Sequence, residues 1–229
     1  MGERFYRFSQ WCVRWLFDVL GGLEVAGCGN VPGEGPLIVA ANHASYFDPM
    51  LLGAAINRPL HFMARRTLFD IPGFGWLIRQ NQAFPLERGG DSREALRGFG
   101  ELLGQGHAVV VFPEGTRTRD GAIGDIRPGV GMLSERYSAP ILPVYIWGTF
   151  QSLPRGRLVP RFHRFKALIG PPLRQETEEG YRKRKRQRLT DAFRSTIRAL
   201  EREAWRDEQE VPPVSLLRLW SAAGGEGTA

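Results

Sequence analysis

Two side chains that can act together on a proton lie five residues apart, between the apolar runs 37–41 and 50–56. They are His43 and Asp48. A neutral imidazole can take a proton from an attacking hydroxyl, while a carboxylate on its other nitrogen fixes the tautomer and stabilises the imidazolium that forms. The alternative is that His43 is a polar loop residue and Asp48 only caps a helix.

The elements around this pair decide whether the two side chains can meet. Residues 37–41 are all apolar and predict a buried strand that ends just before His43, and Asp48-Pro49 favours a helix start with Asp48 as its N-cap. On one straight helix, five residues at about 100° each would leave the side chains roughly 140° apart. Pro49 also disfavours the helical conformation at Asp48. We therefore predict a strand, a loop that turns back on itself, and a helix.

Three arginines accompany the ends of other predicted strands. Each comes after a short run of strand character: Arg65 after residues 61–64, Arg88 after 83–86 and Arg117 after 108–112. Ligands of open α/β sheets bind at the carboxyl ends of the strands, so the three arginines are expected near His43. A guanidinium holds phosphate through two parallel hydrogen bonds, and Gly115 permits close approach of the backbone. The alternative is surface arginines in loose ion pairs.

Composition limits the kinds of protein this chain can be. Its 229 residues are 42% hydrophobic and 24% charged, which predicts one globular domain with a full core. Neither Cys12 nor Cys28 belongs to a motif, and the pattern of a secretory signal peptide is missing, so we expect a reducing compartment. No apolar run approaches the roughly 18 residues of a spanning helix. The 31 lysines and arginines outnumber the 24 aspartates and glutamates, which gives a net charge of +7. This charge favours an anionic partner: nucleic acid, phospholipid head groups or a phosphorylated substrate.

Residues 4–20 have the periodicity of an amphipathic helix. Its predicted apolar face consists of Phe5, Phe8, Cys12, Trp15, Leu16 and Val19, opposite Arg4, Arg7, Arg14 and Asp18. Trp11 falls among the arginines, and an indole with one polar edge suits the interface of a bilayer. The helix therefore either contacts a membrane or packs on its own domain.

Two later stretches are strongly basic. Residues 155–174 contain five arginines and Lys166 without an acid, and they predict a pair of strands or a groove for lipid head groups or the phosphates of coenzyme A. A solvated sheet edge is the alternative. The helix predicted at 181–205 carries six basic residues in the seven positions 182–188. The apolar stretch 214–220 is expected to dock on the domain or a bilayer, and residues 221–229 to be disordered.

These elements predict an α/β fold with a mainly parallel or mixed sheet, helices on both faces and an amphipathic helix in front. We divide the chain into a membrane-associating helix at 1–22, a single domain at 23–210 that ends in a basic helix, and a tail at 211–229. The strands alternate with helices along the chain, which is typical of parallel sheets.

Over roughly residues 23–150 the chain resembles the 1-acylglycerol-3-phosphate acyltransferases. The resemblance is carried by five blocks: Asn42-His43-x-Ser45-x-x-Asp48, Ala64-Arg65-Arg66-Thr67-Leu68-Phe69, Phe84-Pro85-Leu86-Glu87-Arg88, Phe112-Pro113-Glu114-Gly115-Thr116-Arg117 and Ile141-Leu142-Pro143-Val144. The first and fourth blocks are the specific ones, because neither is common by chance and the spacing between them matches the family.

The resemblance implies a reaction and roles for particular residues. It implies that the hydroxyl of a lysophosphatidate attacks an acyl thioester of coenzyme A or acyl carrier protein, giving phosphatidate without an acyl-enzyme, a cofactor or a metal. His43 corresponds to the base and Asp48 to its orienting carboxylate. The implied substrate-binding residues are Arg65, Arg88, Glu114, Gly115, Thr116 and Arg117. In agreement, the sequence contains no Gly-x-Ser-x-Gly motif.

The acceptor and the setting are less closely defined. Arg65 replaces a lysine common in the second block, Thr67 replaces a glutamate and Thr118 a serine, so glycerol 3-phosphate or another lysophospholipid stays possible as acceptor. We expect a peripheral protein on the cytoplasmic side of the cell membrane. A nucleic-acid-binding protein would share the charge, but the basic residues show no aromatic-interleaved recognition pattern. A membrane-binding module without catalysis would not need His43 and Asp48.

Overall fold

The strand predicted at residues 37–41 lies inside a β-sheet whose strands are covered by helices. The computed structural model describes residues 2–86, 92–175 and 182–210. In chain order its elements are α1 (Gly2–Leu20), β1 (Leu23–Ala26), β2 (Leu37–Ala41), α2 (Asp48–Ala55), β3 (Leu60–Arg65), α3 (Arg66–Phe69), α4 (Phe74–Gln80), β4 (Ala83–Leu86), α5 (Ser92–Gly104), β5 (Ala108–Val111), α6 (Gly129–Tyr137), β6 (Ile141–Trp147), α7 (Thr149–Ser152), β7 (Phe165–Ile169) and α8 (Arg182–Glu210).

Within those ranges seven strands form one mixed sheet in the order β1-β7-β6-β2-β5-β3-β4. The five strands from β6 to β4 run parallel to one another, whereas β7 is antiparallel to β6 and parallel to β1. The prediction of a mainly parallel or mixed sheet is confirmed. Because β2 and β5 are neighbours, the segments that follow them, which begin at Asn42 and Phe112, leave the sheet side by side.

Successive residues of β2 enter two separate cores. Leu37, Val39 and Ala41 pack in the core that includes α1 and α2, whereas Ile38 and Ala40 pack in the core that includes α5, α6 and α8. A strand covered on both faces must be apolar at every position, which explains its sequence. Helices therefore lie on both faces, as predicted.

Helix α8 is held close to α6, and a glycine makes the approach possible. A Cβ on Gly131 would lie 2.4 Å from the carbonyl oxygen of Arg186 and 2.5 Å from the Thr190 hydroxyl. The Arg186 side chain also pairs with Glu135 at 2.9 Å. Part of the basic run at 182–188 is thus used in packing, and Leu189, Phe193 and Ile197 of α8 are buried.

Helix α1 corrects the prediction for its apolar face. Its buried side contains Tyr6, Phe17 and Leu20, and the Gln10 side chain donates to the carbonyl oxygens of Gly53 and Ile56 at 2.8 and 3.0 Å. On the opposite side Phe8, Trp11, Trp15 and Val19 are each more than half exposed. The helix has two apolar faces because an aromatic stripe lies across from the packed one, and the arginines flank this stripe. No described helix has the length and hydropathy to span a membrane.

The predicted pair of strands within residues 155–174 was wrong. Only β7 forms there, and residues 153–164 form a loop in front of it. Arginines and apolar residues alternate in this loop without the regular inward and outward pattern that a strand needs. Arg88 and the tail at 211–229 lie outside the described residues.

Candidate active site

The histidine and aspartate singled out from the sequence are in direct contact. The ring nitrogen Nδ1 of His43 is 2.8 Å from Asp48 Oδ2. Asp48 is completely buried, whereas the His43 side chain keeps 19% of its area exposed. Since an ionised carboxylate can only accept hydrogen bonds, Nδ1 carries the hydrogen and the lone pair of Nε2 is left for another partner. This is the arrangement that a general base requires.

Asp48 folds the loop rather than capping the helix. Its Oδ2 also accepts the backbone N–H groups of Ala44 (2.6 Å) and Ser45 (2.8 Å). Phe47 occupies the N-cap position, and Asp48 is the first residue of α2. The predicted N-cap role of Asp48 was therefore wrong, although Pro49 stands in the first turn as expected. Its carboxylate bonds backwards, and this brings it to the imidazole.

The segment that follows β5 forms hydrogen bonds with both the N–H and the carbonyl oxygen of His43. The N–H of His43 donates to Glu114 Oε1 at 2.7 Å, and its carbonyl oxygen accepts the N–H of Thr118 at 2.8 Å. The Phe112 ring stacks on the imidazole with a centroid distance of 4.0 Å and an angle of 15° between the planes. The position and tilt of the imidazole are consequently fixed by a neighbouring strand.

Glu114 is buried, and both of its carboxylate oxygens are engaged by backbone groups. Besides the bond to His43, Oε2 accepts the N–H of Gly124 at 2.8 Å. Burial raises the pKa of the Glu114 carboxyl, and these N–H groups oppose the rise. Through these bonds Glu114 holds the loops that follow β2 and β5 in place, and its contact with substrate stays a prediction.

Two further side chains attach the loop at residues 42–48 to the rest of the sheet edge. The amide of Asn42 exchanges two hydrogen bonds with the backbone of Ile146 in β6, at 2.9 and 2.7 Å. The Ser45 hydroxyl donates to the carbonyl oxygen of Leu153 at 2.7 Å. The polar residues of the first sequence block therefore include two that position the loop.

Arg117 stacks on an aromatic ring that the sequence did not indicate. Its guanidinium carbon lies 3.5 Å from the centre of the Tyr46 ring. The Nη1 atom of Arg117 is buried and has no hydrogen-bond partner among the described residues. Tyr46 belongs to the loop between His43 and Asp48, so the stacking places Arg117 beside this loop. Tyr46 was missed because its position in the block carried no expectation of its own.

The backbone around Gly115 is approached by a second arginine. Gly115 has a φ of +72°, and a Cβ there would lie 2.9 Å from the guanidinium carbon of Arg127. The left-handed φ favours glycine, and a side chain at this position would require the Arg127 guanidinium to move. Thr116, between Gly115 and Arg117, is exposed. The loop 113–117 thus ends in Arg117 and is approached at Gly115 by the Arg127 side chain.

The structure places Arg65 less closely than the sequence suggested. Arg65 ends β3 at the same edge of the sheet as His43, but β5 lies between β3 and β2. Two strand spacings separate them, about 10 Å. Its side chain is exposed. Arg65 therefore lies at the rim of the site.

Replacing Tyr46 should weaken the binding of an anionic acceptor and leave the rate of the chemical step nearly unchanged. Tyr46→Leu removes the ring under Arg117, and a cation–π contact contributes about 0.5–2 kcal/mol. We expect the acceptor KM to rise about 3- to 10-fold with kcat nearly unchanged. Tyr46→Phe keeps the ring and should behave like the wild type. An equal loss in both variants would contradict the stacking role.

Comparison with known proteins defines the class. The model of the acyltransferase family matches residues 22–147, more than half of the chain. The chain belongs to the acyltransferase family and is an enzyme of that class, as the five blocks indicated.

Individual relatives agree with this assignment. A 1-acyl-sn-glycerol-3-phosphate acyltransferase of Bacillus subtilis is 26% identical over 86% of this chain and 96% of its own length. A lyso-ornithine lipid O-acyltransferase of Pseudomonas aeruginosa is 36% identical over 49% of this chain and 42% of its own. The crystal structure of the 1-acyl-sn-glycerophosphate acyltransferase PlsC of Thermotoga maritima is similar with a TM-score of 0.66 and 28% identity, covering 85% of this chain and 78% of that one.

Proposed function

We propose that the protein transfers a fatty acyl group from a thioester to the free hydroxyl of a lysophosphatidate, giving phosphatidate. The observation that carries the proposal is the contact of His43 Nδ1 with Asp48, which leaves the lone pair of Nε2 for a substrate, in a loop whose Tyr46 ring stacks with Arg117. The relatives named as 1-acyl-sn-glycerol-3-phosphate acyltransferases support the same acceptor.

His43 acts as the general base in this reaction. Its Nε2 removes the proton from the acceptor hydroxyl as the oxygen attacks the thioester carbonyl carbon. The buried carboxylate of Asp48 stabilises the imidazolium that results. The tetrahedral intermediate then collapses, the carbon–sulfur bond breaks, and the departing thiolate takes up the proton. The acyl group passes directly to the acceptor, without a bond to the protein.

Arg117 binds the phosphate of the acceptor. Its buried Nη1 lacks a partner within the described part of the chain, and such a donor gains most from an anionic oxygen. Arg127 lies across Gly115 and adds a second positive charge to the same loop. We assign Arg88 to the same role on the basis of the family resemblance, and Arg65 to the rim. The thioester is carried by coenzyme A or acyl carrier protein.

The protein works at the cytoplasmic surface of the membrane as a peripheral enzyme. The outward aromatic stripe of α1, formed by Phe8, Trp11, Trp15 and Val19, supports this location. The stripe extends towards α4 through an edge contact of 5.1 Å between the rings of Phe5 and Trp76. Aromatic rings with exposed faces are suited to the head-group boundary of a bilayer.

An acceptor panel tests the proposed function. The purified protein is incubated with labelled acyl-coenzyme A and, in parallel, with lysophosphatidate, glycerol 3-phosphate, lyso-ornithine lipid or a lysolipid without a phosphate. We expect the highest kcat/KM with lysophosphatidate. Faster acylation of a phosphate-free acceptor would contradict the assignment of the acceptor.

The role of Arg117 gives a second expectation. Arg117→Lys keeps the charge but removes the planar pair of donors and the stacking on Tyr46. The KM for lysophosphatidate should rise about 10-fold or more, with little change in the KM for acyl-coenzyme A. Arg194→Lys on α8 serves as the matched control, because Arg194 pairs with Asp191 on the same helix. Equal effects on both substrates would mean that Arg117 serves the donor or the fold.

A further inference from the structure

The loop at residues 153–164, here called the arginine loop, exposes apolar side chains at its tip. Leu158 at the tip is 94% exposed and Val159 73%, and Phe162 at the end of the loop is 68% exposed. Large aliphatic and aromatic side chains exposed together commonly mark an interaction surface. The loop is short, and it lies far along the chain from α1.

The base of the arginine loop is firmly held. Ser152 and Arg161 exchange two hydrogen bonds across it: the N–H of Arg161 donates to the Ser152 carbonyl oxygen at 2.9 Å, and the Ser152 hydroxyl donates to the Arg161 carbonyl oxygen at 2.7 Å. A turn within the loop is closed by the bond from the Arg157 N–H to the Pro154 carbonyl oxygen at 3.2 Å. The exposed tip is therefore presented from a defined base.

Two contacts connect this base with the site and with α1. The Ser45 hydroxyl of the loop at residues 42–48 donates to the Leu153 carbonyl oxygen at 2.7 Å. At the other end, the His163 N–H donates to the Leu20 carbonyl oxygen at 2.9 Å, at the end of α1. The arginine loop thus begins beside the catalytic pair and ends beside the helix with the aromatic stripe.

The charge of the loop is of one sign. Its arginines are Arg155, Arg157, Arg161 and Arg164, and no acidic residue occurs between Glu135 and Glu176. Apolar residues at a tip with arginines on both sides match the boundary of an anionic bilayer, where chains are apolar and head groups are negative. An acidic protein surface would use the arginines but would leave Leu158 and Val159 without a partner.

We propose that the arginine loop inserts its tip into an anionic phospholipid surface and so brings the mouth of the active site to the membrane. The proposal extends the acyl transfer proposed above, since a lipid acceptor must reach His43 from the bilayer. The arginine loop is a second contact, separate from the stripe on α1. Both contacts are needed for full activity on acceptors embedded in vesicles.

The test compares vesicle binding and two kinds of acceptor. Vesicles of phosphatidylglycerol and phosphatidylcholine are co-sedimented with wild-type protein and with the variants Leu158→Ser/Val159→Ser and Arg155→Gln/Arg157→Gln. We expect the apparent affinity to fall about 3- to 10-fold in each, and the arginine variant to lose the salt-sensitive part. Arg194→Gln/Arg202→Gln removes the same charge from α8 and should bind as the wild type does. Turnover should fall with a long-chain acceptor in vesicles and stay unchanged with a short-chain, water-soluble lysophosphatidate.

The outcomes separate the competing accounts. Unchanged vesicle binding in both loop variants would overturn the proposal. An equal loss of turnover on the water-soluble acceptor would also overturn it, because the loop would then have a role in the fold or the site. Binding of the same variants to acyl carrier protein is measured in parallel. If that binding fell while vesicle binding stayed unchanged, the partner of the loop would be acyl carrier protein and the proposal would be wrong. A wild-type protein inactive on both acceptors would contradict the proposed acyl transfer, and vesicle binding would still decide on the loop.

Discussion

The variant His43→Ala should lose about 10²- to 10⁴-fold in kcat while the KM for lysophosphatidate stays nearly the same. In the proposed mechanism the imidazole removes the proton from the attacking hydroxyl, and alanine cannot replace it. Binding should be little affected, because the proposal assigns the acceptor phosphate to Arg117 on another loop. Steady-state release of coenzyme A measures the effect.

The fold should tolerate this change. The contacts of His43 to Glu114 and Thr118 are made by its backbone and are kept in the alanine variant. Removing the imidazole leaves Asp48 with two of its three hydrogen bonds. An unfolding midpoint close to that of the wild type is the control. A kcat within a few-fold of the wild-type value would exclude His43 as the base.

The second large effect is expected for Asp48→Asn, with kcat lower by about 10²-fold or more. The amide oxygen can take the place of Oδ2, because three donors converge on that atom. The amide nitrogen then occupies the place of Oδ1, which is buried and has no partner among the described residues. We therefore expect the loop geometry to be retained and the charge that stabilises the imidazolium in the proposed mechanism to be lost.

Comparing Asp48→Asn with Asp48→Ala distinguishes the loss of the negative charge from the loss of the hydrogen-bond acceptor. Asp48→Ala removes the acceptor of the Ala44 and Ser45 N–H groups as well, so it should also lower the free energy of unfolding. We expect the asparagine variant to be nearly as stable as the wild type in urea and the alanine variant to be clearly less stable. An asparagine variant with wild-type kcat would mean that the negative charge of Asp48 is not used in the reaction.

The sequence predicted those parts of the site that depend on local pattern. An all-apolar run defined β2 and placed His43 at its end, and Pro49 required a turn that lets Asp48 reach the imidazole. The order of strands was not predictable, because the apolar runs of β2, β5 and β6 look alike. The contact of Glu114 with the backbone of His43 depends on β2 and β5 being neighbours, so it appears only in the structure.

Other features were missed because one pattern can serve two purposes. In α1 the periodicity predicted one apolar face, but Tyr6 and Gln10 face the domain and Trp15 faces outward. Packing of the helix on its own domain is therefore confirmed, and its contact with a membrane stays a prediction. In residues 155–174 the alternation of arginine and apolar residues resembled strands. The hydrogen bonds between Ser152 and Arg161, which close a loop instead, have no signature in the sequence.

The most direct test of direct acyl transfer assisted by His43 is a rapid-quench single turnover. Excess protein is mixed with labelled acyl-coenzyme A and saturating lysophosphatidate, and label in phosphatidate and label bound to protein are followed together. We predict that phosphatidate forms at the rate at which acyl-coenzyme A disappears, with no protein-bound label at any time, and that His43→Ala slows this step by about 10²-fold or more. Label that accumulates on the protein before phosphatidate appears, or a step of wild-type speed in His43→Ala, would contradict the mechanism.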